Sequence, residues 1–181
     1  MDTAVSRARP PEWSVDDFRQ AAALEDLALR ARVEDFMLDY AHAIDDGDLH
    51  AWPCFFVEDG RYKIISRENF EAGLPMGVMY CEGAGMMRDR VMALETANIY
   101  EPHTYSHVLS RPRMRHAPDG GILARTNFVV IRTMQEGRME TFAAGKYLDR
   151  IVVQADGRLR FAERLVVLES RRIDILLVFP L

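Results

Sequence analysis

The sequence predicts an α+β fold: a curved antiparallel sheet wrapped around N-terminal helices, giving a cone-shaped domain. Three observations predict it. Apolar residues recur at helical spacing in two N-terminal stretches. From residue 103 onward the pattern switches to period two, with strand following strand across tight turns. Helices and strands are segregated along the chain, which marks α+β rather than an alternating α/β sheet. A long sheet must bury one face, and the helices of the N-terminal half are its available cover.

The elements follow in chain order. Residues 1–14 carry Arg7, Arg9, Pro10 and Pro11 and read as an extended arm, which Trp13 and Phe18 could pin to a surface. Val33, Phe36, Met37, Tyr40, Ala41 and Ile44 form one apolar stripe of a helix, with Leu24, Leu27 and Ala28 upstream of it. Asp45, Asp46 and Gly47 stop that helix. Cys54-Phe55-Phe56-Val57 is a short apolar run, Glu58-Asp59-Gly60 reads as a turn, and Arg61 to Ser66 as a strand, together a hairpin. Residues 67–82 contain Gly73, Pro75 and Gly77 and read as a loop. Met87, Val91 and Leu94 mark a second helix. Strands are then expected over His103–Arg115, Ile122–Met134, Met139–Val153, Leu159–Leu168 and Ile173–Phe179. Pro118 to Gly121, Glu136-Gly137 and Ala155-Asp156-Gly157 are the turns between them.

The 181 residues suit one domain, here 21–181, preceded by the arm 1–20. Hydrophobic residues make up 49% and charged residues 28%, an ordinary globular composition. A net charge of −5 gives no electrostatic footprint for nucleic acid. No apolar run approaches the ~18 residues of a membrane span, and the first twenty residues lack the apolar core of a secretory signal. The arginine-rich cation set, with only Lys63 and Lys146 as lysines, fits either salt-bridged subunit interfaces or a GC-rich coding bias. Two cysteines, Cys54 and Cys81, cannot form a disulfide framework, so a reducing cytoplasm is the default; Phe55 and Phe56 suggest that the Cys54 thiol is buried.

The motifs of common chemistries are missing. His103 and His107 share one face of a strand with Cα atoms roughly 13 Å apart, too far to ligate one metal easily. A Rieske cluster needs two cysteines and two histidines, commonly as Cys-x-His and Cys-x-x-His. Here Phe56 follows Cys54 at the second position and Ala84 follows Cys81 at the third. Gly83-Ala84-Gly85 lacks the third glycine of a nucleotide loop, and there is no nucleophile elbow or His-Glu-x-x-His. Cone folds like those of nuclear transport factor and ketosteroid isomerase can host acid–base chemistry in their cavity. Tyr40, Asp46, Tyr62 and His107 are the candidates for such a site, against the alternative that Tyr40 is core and Asp46 a helix-end residue. The C-terminal Ile173-Asp174-Ile175-Leu176-Leu177-Val178-Phe179-Pro180-Leu181 is almost wholly apolar, so it is expected against another subunit or deep in the sheet.

Several ordered stretches carry a resemblance. They are Trp52 to Tyr62, Asp89 to Pro102 running into His103-Thr104-Tyr105-Ser106-His107, Val130 to Thr133, and Gly145 to Arg150 through Arg164 to Ser170. Over residues 25–181 the chain resembles the small (beta) subunits of aromatic-ring-hydroxylating, Rieske-type dioxygenases. Many members carry Arg-Thr-Arg-His where this chain has Thr104-Tyr105-Ser106-His107, so only the histidine is kept. Asn98-Ile99-Tyr100-Glu101 is closer to members that act on aromatic carboxylic acids such as terephthalate, salicylate or anthranilate. The resemblance implies a cone-fold scaffold with no catalytic residue, metal or cofactor of its own. It implies a large (alpha) subunit as partner, holding a Rieske [2Fe–2S] cluster and a mononuclear Fe(II), in an assembly of three large and three small chains. The small chains would self-associate as a trimer, and a reductase would supply electrons from NADH. Candidate subunit contacts are Trp52, Tyr100, His103, His107, Arg111, Phe179 and Leu181. The competing readings are a stand-alone cone-fold isomerase or dehydratase, and a small-ligand-binding module.

Overall fold

The computed structural model describes residues 15–96, 101–169, 177 and 179–181. Trp13, Tyr100, the arm 1–14 and most of the expected strand 173–179 lie outside them.

Helix α1 (Val15–Gln20) replaces part of the expected arm. Helix α2 (Leu27–Asp45) begins where the Asp26 side chain accepts a hydrogen bond from the Leu29 N–H at 3.0 Å. It buries the stripe Val33, Phe36, Met37, Tyr40, Ala41 and Ile44, and it ends before Gly47, whose φ is +77°. A short 3₁₀ turn (Trp52–Phe55) then leads into strand β1 (Phe56–Ser66). Next come α3 (Arg67–Glu71), β2 (Met79–Glu82) and α4 (Ala84–Thr96), and then β3 (His103–Leu109), β4 (Arg113–His116), β5 (Ile122–Met134), β6 (Met139–Val153) and β7 (Leu159–Leu168). Both helices expected from their apolar stripes form.

The seven described strands make one sheet in the order β2-β1-β7-β6-β5-β3, with β4 also on β5. The expected all-antiparallel sheet is corrected here. β1 pairs with β7 in parallel, Lys63 opposite Leu165, so the sheet is mixed. The expected hairpin at Glu58-Asp59-Gly60 is also absent, because those residues form an irregularity inside β1, where the register on β7 shifts between Phe56 and Arg61. The antiparallel partner of β1 is instead β2, from the stretch read as a loop; α3 occupies the start of that stretch. The expected strand 103–115 is split in two. Both halves lie along β5, and Pro112, which has no N–H to donate, stands at the break.

The inner face packs on α2 and α4 around Trp52, Tyr62, Phe128, Tyr147 and Phe161. The opposite face has a smaller core, in which Phe18 of α1 meets Ile65, Leu123, Leu148, Leu165 and Val167, with Phe70 of α3 against it. That second core explains why the end of β7, Leu165 to Leu168, is buried on both faces. Cys54 is exposed, contrary to expectation, because the 3₁₀ turn directs Trp52 inward in its place.

Gly145 is where sheet and side chains come closest. It faces Leu168 on one side and Phe128 on the other, and a Cβ there would lie 2.2 Å from the Val167 carbonyl oxygen. Gly145→Ala is expected to cost about 1–3 kcal/mol, the usual range for overpacking, and to lower the midpoint of thermal or urea unfolding. An unchanged midpoint would show that β6 and β7 can spread there.

Candidate functional site

The interior of the cone is built around one ion pair. Asp149 of β6 and Arg164 of β7 are directly opposite in register, and both are fully buried. The guanidinium binds the carboxylate with two bonds, Nε to Oδ1 at 2.8 Å and Nη2 to Oδ2 at 2.9 Å. Its plane is caged by three rings, with centroids at 4.0 Å (Tyr40), 4.1 Å (Phe161) and 4.3 Å (Tyr147). Nη1 is buried and has no hydrogen-bond partner. Phe161 and Arg164 are three apart and could not share a face of a regular strand; the register shift opposite Arg150 and Ile151 lets both point inward.

Above this pair sit two tyrosines. Tyr40 of α2 and Tyr62 of β1 each donate a hydroxyl hydrogen bond to the Leu181 main-chain oxygen, both at 3.1 Å. The Leu181 N–H donates back to the Tyr62 hydroxyl at 2.8 Å. Trp52 crosses Tyr62 edge-on at 5.1 Å, and Tyr147 stacks on Phe128 at 4.3 Å. Burial pushes the Tyr40 hydroxyl above its ordinary pKa, with Arg164 pulling part of the way back. Burial raises the Tyr62 and Tyr147 hydroxyls much further. Asp149 is also raised by burial, against the pull of Arg164. Every hydroxyl here is therefore neutral at pH 7; those of Tyr40 and Tyr62 donate, and that of Tyr147 is buried without a hydrogen-bond partner among the described residues.

The sequence candidates divide between two places. Tyr40 and Tyr62 do converge, but on Leu181. His107 belongs elsewhere: its backbone N–H donates to Asp45 Oδ2 at 2.8 Å, and its ring Nδ1 lies 2.5 Å from Asp45 Oδ1. Its Nε2 is buried without a hydrogen-bond partner. Asp46, the expected carboxylate, is exposed at the end of α2; its neighbour Asp45 is the one that meets β3. Sequence reasoning missed Asp149 and Arg164 as well. Opposite charges midway along two apolar strands were the available signal.

Of the expected subunit contacts, Trp52 and Leu181 are wholly buried core residues of this chain. The apolar C-terminal end is thus spent partly inside, with Leu177 and Leu181 in the main core. His103 is half-buried, its ring 5.2 Å from Phe179 and its Nδ1 at 2.7 Å from the Glu101 carbonyl oxygen. Phe179 packs on the same core, and Arg111 is exposed on Glu34 at 3.1 Å. Among the described residues no three His, Cys, Asp or Glu side chains group as metal ligands. No described helix is long and apolar enough to cross a membrane. The donor set among the described residues does not fit an iron–sulfur cluster or a mononuclear iron.

A family model described as "Ring hydroxylating beta subunit" matches residues 40–175. The chain belongs to the ring-hydroxylating beta subunit family. It is 39% identical over 142 residues to the anthranilate 1,2-dioxygenase small subunit of Burkholderia cepacia, covering 78% of this chain and 88% of that one. It is 38% identical over 146 residues to subunit beta 1 of the terminal oxygenase component of terephthalate 1,2-dioxygenase from a Comamonas species, covering 81% and 94%. A solved structure from Novosphingobium aromaticivorans, described as the beta subunit of an aromatic-ring-hydroxylating dioxygenase, superposes with a TM-score of 0.78 at 35% identity, over 85% of this chain and 97% of that one. The α+β cone and the family expected from the sequence both stand.

Two outcomes test the interior. Removing one partner of a buried pair leaves the other charge uncompensated, so Asp149→Ala should destabilise the chain by about 3–5 kcal/mol in urea unfolding, while Asp149→Leu with Arg164→Met should recover most of that loss. Alkaline stability has a definite sign. The folded chain keeps Tyr40, Tyr62 and Tyr147 neutral, whereas the unfolded chain ionises them near pH 10. Their contribution is therefore full below about pH 10 and is lost as pH rises beyond it, by up to ~1.4 kcal/mol per tyrosine per pH unit. Absorbance near 295 nm should show these three titrating only as the chain unfolds; free titration near pH 10 in the folded chain would refute their burial.

Proposed function

We propose that this chain is the structural small subunit of a multicomponent aromatic-ring-hydroxylating oxygenase, with no active site of its own. It holds the iron-containing large subunits in register within an assembly of three large and three small chains, the small chains contacting one another as a trimer. The observation that carries this reading is the filled cone. Where a cone-fold enzyme would keep a cavity, Tyr40, Trp52, Tyr62, Tyr147, Phe161 and Arg164 occupy the space, and Leu181 closes it. The Tyr40 and Tyr62 hydroxyls make their bonds to the chain's own backbone, at Leu181. Burial keeps the Tyr40, Tyr62 and Tyr147 hydroxyls from ionising near neutral pH, which does not suit a general acid or base. This counts against the stand-alone isomerase or dehydratase and against an open ligand-binding module.

The Rieske [2Fe–2S] cluster and the mononuclear Fe(II) then belong to the large subunit, which supplies the redox chemistry with NADH-derived electrons from a reductase in the cytoplasm. What this chain's residues contribute is rigidity. The ring-caged Arg164–Asp149 pair and the tyrosine bonds to Leu181 fix the spacing between sheet and helices, so that the outer surface is presented in one shape. Similarity to the anthranilate and terephthalate dioxygenase subunits supports an aromatic carboxylic acid as substrate of the complex.

Co-expression with the cognate large subunit tests this. The expected product is a brown complex of several hundred kilodaltons whose iron tracks the large chain. The small chain alone, given Fe(II) and reductant, should turn over neither anthranilate nor terephthalate. A colourless small oligomer that ignores the large chain, or hydroxylation by the small chain alone, would end the proposal.

A further inference from the structure

We infer that an arginine-lined depression on the outer face of the sheet docks a carboxylate-bearing segment of the large subunit. This rests on the small-subunit reading above and specifies where that partner sits.

The depression has a volume of about 410 Å³ and lies between α1, β4 and β5. Arg19, Arg111, Arg113, Arg115 and Arg125 line it, and no Asp or Glu does. Arg113 and Arg125 are directly opposite across the β4–β5 ladder. Like charges in that position destabilise a sheet. Neither has an ion-pair partner among the described residues. The other three are only partly compensated. Arg19 meets Asp16 at 3.4 Å, Arg111 meets Glu34 at 3.1 Å, and Arg115 reaches the Ala21 carbonyl oxygen at 3.1 Å and lies 5.8 Å from the Phe18 ring. The chain as a whole carries −5. A concave, self-repelling patch of the opposite sign on such a chain is complementary to an anionic surface.

The guanidinium fork takes a carboxylate or a phosphate with two parallel bonds, and of the two a protein partner supplies carboxylates. Exposure identifies its source. The Arg19 and Arg111 side chains are 74% and 73% exposed. A small free anion would stay hydrated and screened there, whereas ligand sites for small molecules bury most of their ligand. A protein surface bearing several carboxylates covers the whole rim at once and excludes that water. A net-acidic chain does not favour nucleic acid in this place.

Arg125→Glu separates docking from folding. It turns the repelling Arg113–Arg125 pair into an attracting one, so the melting temperature of the small chain should hold or rise. Retention of the co-expressed large subunit should nevertheless fall about tenfold or more at ~0.15 M ionic strength, and the gap to wild type should narrow as salt screens the wild-type contact. Arg113→Glu should behave the same way. Arg158→Glu, on the β6–β7 turn, should leave retention unchanged. Wild-type retention and salt dependence in Arg125→Glu would overturn the inference. So would loss of small-chain self-association with the large subunit still bound, which would give the depression to a second copy. Stabilisation of the wild-type small chain, but not Arg125→Glu, by millimolar inorganic phosphate with unaltered retention would assign it to a small anion instead. Failure of the wild-type chain to bind the large subunit would remove the small-subunit reading itself, and this inference with it.

Discussion

The buried Arg164–Asp149 pair is the constraint around which the interior is arranged. Taking two charges out of water costs several kcal/mol each, and their attraction offsets this only when geometry and hydrogen bonding are good. Here the pair is bidentate, and the third guanidinium nitrogen, which has no acceptor, lies among aromatic faces. Tyr40, Tyr147 and Phe161 therefore serve both as apolar filling and as the cage of a cation. Tyr40 also carries α2 down onto β1, because its hydroxyl and that of Tyr62 meet at one backbone oxygen. Helix, first strand and last strands are tied to a single polar centre.

In the structural role proposed for the chain, the same centre takes the place that acid–base groups hold in other cone folds. Such chemistry needs groups whose proton can leave or arrive near neutral pH. Burial moves the three interior hydroxyls away from that range, and a guanidinium does not lose its proton there. What remains is a rigid plug of rings. The surface that a partner could use is on the other side of the sheet, where α1 and α3 cover only part of it.

The sequence was legible where periodicity is long and local. The stripe from Val33 to Ile44 and the triplet Met87, Val91 and Leu94 mark helices that form as expected, and the strands from residue 122 onward follow their alternation and turns. It was not legible where distant pairing overrides local chemistry. Glu58-Asp59-Gly60 has the composition of a turn, yet it lies inside β1 as an irregularity, between Phe56 and Arg61, which both pair with β7. The tyrosines were visible as candidates, but their shared partner Leu181 lies more than a hundred residues away. Asp46 was preferred to Asp45 because one-residue resolution at a helix end depends on cap geometry, which composition does not specify.

The parallel pairing of β1 with β7 has a consequence in time. Lys63 and Leu165 are neighbours in the sheet but are separated by most of the chain. During synthesis at ~5–20 residues per second, β1 leaves the ribosome several seconds before the strand it must lie against. Until then β1 has only the short β2 as a ladder, and Tyr62, Ile64 and Ile65 have no sheet to cover them. Closing so long a loop delays the contacts that reward it, and such topologies fold slowly. The nascent chain thus passes through an interval in which its first strand is an open, sticky edge, and productive assembly depends on that edge meeting its own C-terminal half before it meets another molecule.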